Sequence, residues 1–366
     1  MHNNNKILFL LLIFILILSL SGCTELFSPD RNIRYKNLET KISFDIAYGV
    51  RVNCSGFGDF SIKYSCDTPD LLIGSINDIF VLNDEYEDLE NQATFNDLKH
   101  WNISKTDDCN PYELGVSASI ISESYNFNDL NGKSALTIDE ISKYHQDKVK
   151  KYCKKQGNET IVYIDPHNAD INKVSQEVLN DANTNNSFII AKELFSWLKT
   201  HTQYLQHNED NNVQPAYYTL EEKTGDCDDL TYLYLSLCRS LDIPARFIRG
   251  FLVNKNTAIA HAWAEVFVGI SENDGWIPVE CAGGSNDYEV KAEIHQNFAF
   301  ESAEHLRLFI DDGSNESLEI SHTGIVYSSD SRVDFDTPKF FADVTNYQVL
   351  SNNDLVINKN DIRSIS

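Results

Sequence analysis

From Ile42 to Val52 apolar and polar residues alternate, Ile42-Ser43-Phe44-Asp45-Ile46-Ala47-Tyr48-Gly49-Val50-Arg51-Val52, and Phe60-Ser61-Ile62-Lys63-Tyr64 repeats the pattern. Alternation sends successive side chains to opposite faces, so both runs predict half-buried strands. Leu71-Leu72-Ile73 and Ile76-Asn77-Asp78-Ile79-Phe80-Val81-Leu82 add further strand-like runs. Residues 33–165 therefore read as a mainly β N-terminal module of unknown role. Near its end, Leu136, Ile138, Ile141, Tyr144, Val149 and Tyr152 recur at helical spacing, and Thr160–Asp165 reads as a strand ending at Pro166. The polar stretch Asp170–Thr184 reads as a helix end and a linker.

The character changes at Asn185. Ile189-Ile190-Ala191-Lys192-Glu193-Leu194-Phe195-Ser196-Trp197-Leu198 is amphipathic with helical period. A second helix is expected from Cys227 to about Leu241, where Asp242-Ile243-Pro244 stops it. Strands are expected at Ala245–Val253, Ala262–Val268 and Gly275–Val279. Helices followed by consecutive strands predict an α+β unit over residues 185–282, with the cysteine helix packed on an antiparallel sheet. Residues 283–366 alternate short apolar runs with polar turns and read as a C-terminal β extension. In it Leu306–Gly313 and Ser317–Ile320 form an expected hairpin, and Gly324–Tyr327 and Phe340–Val344 are further strands.

The N-terminus carries an address. Lys6 precedes the apolar run Ile7 to Leu18, and Leu20-Ser21-Gly22-Cys23 follows. A charged end, an apolar core and small residues describe an export signal over 1–22, with a tether over 23–32. Ser21-Gly22-Cys23 resembles the lipobox of prokaryotic lipoproteins, which implies a lipid on Cys23 and a place on the extracellular face of the cell membrane. The alternative is an uncleaved anchor, although Ile7–Leu20 is short for a span.

The 366-residue chain has 30 Lys and Arg against 55 Asp and Glu, a net charge of −25. Removing the leader takes away Lys6 and no acid, so the exported part is more acidic still. Such a surface repels nucleic acid and anionic lipid headgroups, which excludes nucleic acid as a partner and leaves the N-terminus as the membrane anchor. Eight cysteines are present. With Cys23 and Cys227 set aside, six remain for disulfides in an oxidising exterior. Cys54 and Cys66 bracket Gly56-Phe57-Gly58 and suggest a hairpin staple, Cys109 with Cys153 a second bridge, and one of Cys238 and Cys281 a buried thiol. No CxxC spacing or EF-hand pattern is present, so neither a structural metal nor calcium is expected. His167 beside Pro166 reads as a turn histidine. Asn53, Asn102, Asn158, Asn185 and Asn315 lie in weak glycosylation sequons.

The candidate chemistry is ordered along the chain. Cys227 follows Gly225-Asp226 and precedes the apolar run Leu230-Thr231-Tyr232-Leu233-Tyr234-Leu235, which sets it at a helix start. There free N–H groups and the helix dipole stabilise negative charge on sulfur. His261 and Glu280 adjoin strand-like runs, so a nucleophile, a base and a carboxylate all sit on rigid elements. Cys281 is a rival thiol without a helix start. Asp226, a candidate N-cap, Asp228 and Asp229 crowd the sulfur with acid. Arg239 and Arg246 are available to neutralise them, and Trp263 and Trp276 to pack the sheet and wall the histidine.

Four blocks make the pattern specific: Gly225-Asp226-Cys227-Asp228-Asp229, Arg239-Ser240-Leu241-Asp242-Ile243-Pro244-Ala245-Arg246 with Gly250, His261-Ala262-Trp263-Ala264-Glu265-Val266, and Trp276-Ile277-Pro278-Val279-Glu280. Together they resemble the core of the transglutaminase-like superfamily, over roughly Asn185 to Cys281. The resemblance implies a papain-like arrangement with Cys227 as nucleophile, His261 as base and Glu280 where the family normally has aspartate. It also implies a cysteine-dependent enzyme that attacks a carboxamide or peptide carbonyl to give a thioester; no cofactor is expected. Water then completes hydrolysis, and an amine completes transfer. The reading preferred here is a thiol peptidase or amidase acting on peptide, isopeptide or carboxamide bonds of proteins, peptides or wall peptides. The alternatives are protein-glutamine cross-linking and a non-catalytic cell-surface binding protein. For the oxyanion the Cys227 N–H is one donor, and Gln214, Tyr217 and Tyr218 are weak candidates for a second.

Overall fold

The run that begins at Ile42 buries Ile42, Phe44, Ile46, Tyr48 and Val50 and leaves Ser43, Asp45 and Ala47 half-exposed. The computed structural model describes residues 32–89, 98–127, 131–206, 213–282, 297–315, 318 and 324–358. The leader, the tether to Arg31 and Cys23 lie outside them.

Six main strands come first: β1 (Asn32–Val52), β2 (Phe57–Asp67), β3 (Gly74–Val81), β4 (Tyr86–Leu89), β5 (Leu98–Asp108) and β6 (Tyr112–Glu123). Helices follow at α1 (Ile138–Tyr144), α2 (Gln146–Tyr152), α3 (Ala169–Ala182), α4 (Ser187–His201), α5 (Ala216–Glu222) and α6 (Cys227–Arg239). Strands β7 (Ala245–Val253), β8 (Ala258–Phe267), β9 (Trp276–Val279) and β10 (His305–Ile310) come next, then β11 (Val326–Ser329) and β12 (Lys339–Asn358).

The N-terminal strands build two antiparallel sheets, ordered β12-β1-β6-β3 and β11-β2-β5-β4. Their inward alternates, among them Ile42, Val50, Ile62, Trp101, Leu114 and Val116, share one core with Leu306 and Leu308 of β10. Each such side chain contributes about 1.5–3 kcal/mol through burial. A third sheet, β9-β8-β7-β10, is antiparallel throughout. It carries α6, which is buried on every side: Leu230, Tyr232, Leu233, Tyr234, Leu235 and Leu237 are all buried, and so are the polar Asp229, Thr231, Ser236 and Arg239. The helix lies against β7 and β8 with α3, α4 and α5 around it. Gly250 of β7 has a packing reason. A Cβ there would meet the Leu306 carbonyl oxygen at 1.9 Å, so glycine is what lets β10 approach.

The expected boundaries shift in three places. Asp170–Thr184 is not a linker: α3 runs through most of it and is capped by Asn168, whose side chain accepts from the Asp170 and Ile171 N–H groups. Ile171, Val174, Ser175 and Val178 face inward at helical spacing, a stripe thin enough to read as polar. Strand β8 starts at Ala258, four residues earlier than expected, so His261 lies within a strand. Residues 283–366 do not form one extension. Strand β10 joins the third sheet, β11 pairs with β2, and β12 pairs along nearly all of β1. The expected partner run Ser317–Ile320 lies outside the described residues apart from Leu318, and the described neighbours of β10 are β7 and the backbone of Asp70.

The disulfide expectation is corrected as well. Cys54 bonds Cys109, while Cys66, Cys153, Cys227, Cys238 and Cys281 are thiols. Cys54 precedes β2 and Cys66 is near its far end, and a strand rises about 3.3 Å per residue, far beyond the reach of one S–S bond. The antiparallel register places Phe57 opposite Asp108, which brings Cys54 and Cys109 together. Burial pushes the Cys66 and Cys153 thiols up to about 12. No described helix is long and apolar enough to cross a membrane.

Candidate active site

Cys227 is the first residue of α6, and the turn before it is tightly capped. Asp226 is the N-cap of a reciprocal capping box with Asp229. The Asp226 N–H donates to Asp229 Oδ2 at 3.1 Å, and the Gln214 N–H donates to Asp229 Oδ1 at 2.6 Å. Asp229 is therefore committed to backbone donors and pins the loop ahead of the nucleophile. Asp228 is different. Burial, its hydrogen bond with Asp226 and the neighbouring carboxylates push it up to about 9, so it keeps its proton at neutral pH. The three acids expected to crowd the sulfur thus bring less negative charge than their number suggests.

His261 comes from β8. Its Nε2 lies 2.6 Å from Glu280 Oε2, and its ring also hydrogen-bonds the Cys227 side chain. With Nε2 committed to Glu280, Nδ1 is the nitrogen left for the thiol. Burial works against a charged ring, but the Glu280 carboxylate and the bonds to Cys227 and Glu280 outweigh it and push His261 up to about 10. Trp263, two residues along the same face, stacks beside it at 5.9 Å between ring centroids.

Glu280 follows the last residue of β9. Its N–H donates to the Asn297 carbonyl at 2.8 Å, and its Oε1 accepts from the Ala282 N–H at 2.9 Å. Burial opposes its charge, yet the His261 charge and the hydrogen bonds from both His261 and His305 hold the carboxyl well below its usual range. The longer glutamate side chain thus closes the contact expected of an aspartate.

His305 was not among the residues singled out from the sequence. Its Nε2 lies 3.0 Å from Glu280 Oε2, and its Nδ1 lies 2.8 Å from Ser302 Oγ. The register explains the meeting: Gly250 of β7 faces His261 on one side, and Leu252 faces His305 on the other. Its position at the head of Leu306–Ile310 was the available signal, but nothing local says that β10 lies beside β7. The donor atoms of His261, Glu280 and His305 lie within 4.8 Å of one another, as do those of Asp226, Cys227 and Asp228. Hydrogen bonds from both histidines to Glu280 draw the first group together, and a hydrogen bond between Asp226 and Asp228 joins the two acids of the second.

A buried charged layer supports these side chains. Trp263 Nε1 donates to Glu301 at 2.9 Å, and Arg307 bridges Glu301 at 2.6 Å and Glu265 at 2.8 Å. Arg246 pairs with Glu265, and despite burial the two guanidiniums hold Glu265 down to about 2. Arg246 and Arg239 therefore do not serve the acids around Cys227; Arg239 is buried against Asp311 and Gln156. Trp276 does not wall the histidine, because it packs on Phe267, Tyr152 and Arg246 at the far end of β8. Cys281 is fully buried, and burial together with the Glu280 charge pushes its thiol well up. The Gln214 N–H is occupied, while Tyr217 and Tyr218 are exposed on α5. Tyr204, also missed, is close enough that Cys227, Asp226 and Asp228 add to the effect of burial in raising its phenol. With Ile259, His261, Glu280, Phe300 and His305 it lines a cavity of about 400 Å³. His167 is a turn residue whose N–H donates to Asp165.

A solved structure of a candidate cysteine protease from Cytophaga hutchinsonii is similar to this chain at 11% identity, covering 86% of this chain and 92% of that one, with a TM-score of 0.49. The periplasmic domain of TgpA from Pseudomonas aeruginosa is similar at 10% identity, covering 73% and 96%, with a TM-score of 0.32. No curated protein matches the chain. Residues 172–281 match the family model described as the transglutaminase-like superfamily.

Proposed function

We propose that the protein is a thiol hydrolase, a peptidase or amidase that opens peptide, isopeptide or carboxamide bonds through a thioester on Cys227. The observation that carries this reading is the His261 ring, hydrogen-bonded to Cys227 and held 2.6 Å from Glu280. A nucleophile, a base and an orienting carboxylate in that order are what covalent acyl chemistry requires.

The steps follow from the geometry. The Cys227 sulfur, as thiolate beside protonated His261, adds to the substrate carbonyl carbon. The oxyanion forms next to the helix start, where the Cys227 N–H is unused by the helix. Collapse breaks the C–N bond, and His261 gives its proton to the leaving nitrogen. A water then attacks the thioester, His261 takes its proton, and the acid leaves with Cys227 restored. Glu280 holds the ring orientation and stabilises the imidazolium in both halves.

The proposal also places the enzyme on the extracellular face of the membrane, anchored by lipid on Cys23 and working on proteins, peptides or wall peptides. Support comes from the leader and the Ser21-Gly22-Cys23 resemblance. Replacing Cys23 by alanine should move the protein from the membrane to the soluble fraction, and its retention in the membrane would refute the lipid anchor.

For the chemistry, the test is rapid alkylation by iodoacetamide at mildly acidic pH, followed by peptide mapping. Label is expected at Cys227 and absent in Cys227→Ala, with the circular dichroism spectrum unchanged. Fast labelling at Cys281 or Cys238 instead would overturn the assignment.

A further inference from the structure

We propose that the cavity of about 400 Å³ beside His261 is a specificity pocket for a substrate side chain with an aliphatic stem and a terminal cation, and that Glu304 reads its charge. This rests on the thioester reading for its place in a reaction, but not for the binding itself.

Part of the wall is apolar. Tyr204, Leu252, Ile259 and Phe300 line the cavity, and Ile259 and Tyr204 are 60% and 51% exposed at its rim. Large apolar groups at an open rim gain from being covered, and the methylenes of a long side chain cover them well.

Of the two carboxylates in the lining, Glu280 is held by both His261 and His305, whereas Glu304 stands outside that cluster. Glu304 lines the same cavity and is half-buried, and its side-chain carboxyl has no hydrogen-bond or ion-pair partner among the described residues. Burial and the nearby Glu39 charge raise its carboxyl, and His305 offsets them only in part. A cation at this point would relieve that cost and gain a charge-assisted hydrogen bond. An anionic side chain would add to it.

The pocket is preformed. The Val253 N–H donates to the Glu304 carbonyl at 2.9 Å, and the Ala303 N–H donates to Ser124 Oγ at 2.9 Å. Phe300 and Glu301 pair with Asn126 and Tyr125. The loop that carries Glu304 is thus fixed at both ends by backbone bonds, so little ordering is needed on binding.

The test is calorimetric titration of the full chain carrying Cys227→Ala with Nα-acetyl-lysine methylamide and with its norleucine counterpart. The lysine compound should bind at least tenfold more tightly, a difference of about 1.4 kcal/mol. Glu304→Gln should erase that difference, and Glu304→Asp, which keeps the charge, should retain part of it. Equal binding of the two compounds, no binding of either, or a preference that survives Glu304→Gln would overturn the proposal. A chain without the thiol forms no thioester, so failure here leaves the alkylation test of Cys227 untouched.

Discussion

His305 Nε2 lies 3.0 Å from Glu280 Oε2, the same oxygen that accepts the His261 ring at 2.6 Å. One carboxylate oxygen therefore holds two imidazoles, and its partner oxygen is closed by the Ala282 N–H. His305 thus fixes the group that fixes His261.

Removing that second donor should loosen the carboxylate. A hydrogen bond to a charged group is worth roughly 1.5–3 kcal/mol, so His305→Ala is expected to lower kcat about tenfold or more while leaving the fold intact. His305→Gln, which keeps an N–H donor, should lose less. Equal losses in the two variants, or none in either, would show that His305 does not act through Glu280.

The His261–Glu280 pair makes stability depend on pH with a definite sign. His261 is raised from its ordinary 6.5 to about 10, so its contribution is complete below 6.5 and disappears as pH rises through about 10. Glu280 is lowered from its ordinary 4.5, so its contribution is complete above 4.5 and disappears as pH falls through its depressed value. Both are whole between about pH 4.5 and 6.5. The gap in melting temperature between the natural chain and Glu280→Gln should be widest in that window and narrow steadily toward pH 10. A gap that grew with rising pH would contradict the pairing.

How much of this was legible along the chain depended on sequence distance. Cys227 at a helix start was readable because a cap, the cysteine and an apolar run are adjacent. His261 and Glu280 were readable as neighbours because β8 and β9 pair antiparallel across a short turn. His305 was hidden, because β10 returns to the opposite edge of β7 some fifty residues later, and no local pattern encodes that return. The same reason hid the Cys54–Cys109 bond, which needs the register of β2 on β5 rather than the spacing of two cysteines around a turn. It also hid the division of the C-terminal strands between two sheets. Asp228 shows a different limit. A cluster of acids reads as charge, whereas burial and mutual repulsion make one of them hold its proton.

The pairing of β12 along β1 has a practical consequence for anyone shortening the protein. The first and last long strands run side by side, with Asn32 opposite Asn358, so everything catalytic is looped out between the two halves of one ladder. A fragment cut to the superfamily match would surrender β10, and with it His305, Arg307 and the pairing partner of β7. Its raw strand edge would then be free to stick to other copies. The domain that a sequence comparison outlines is therefore smaller than the unit that can stand alone.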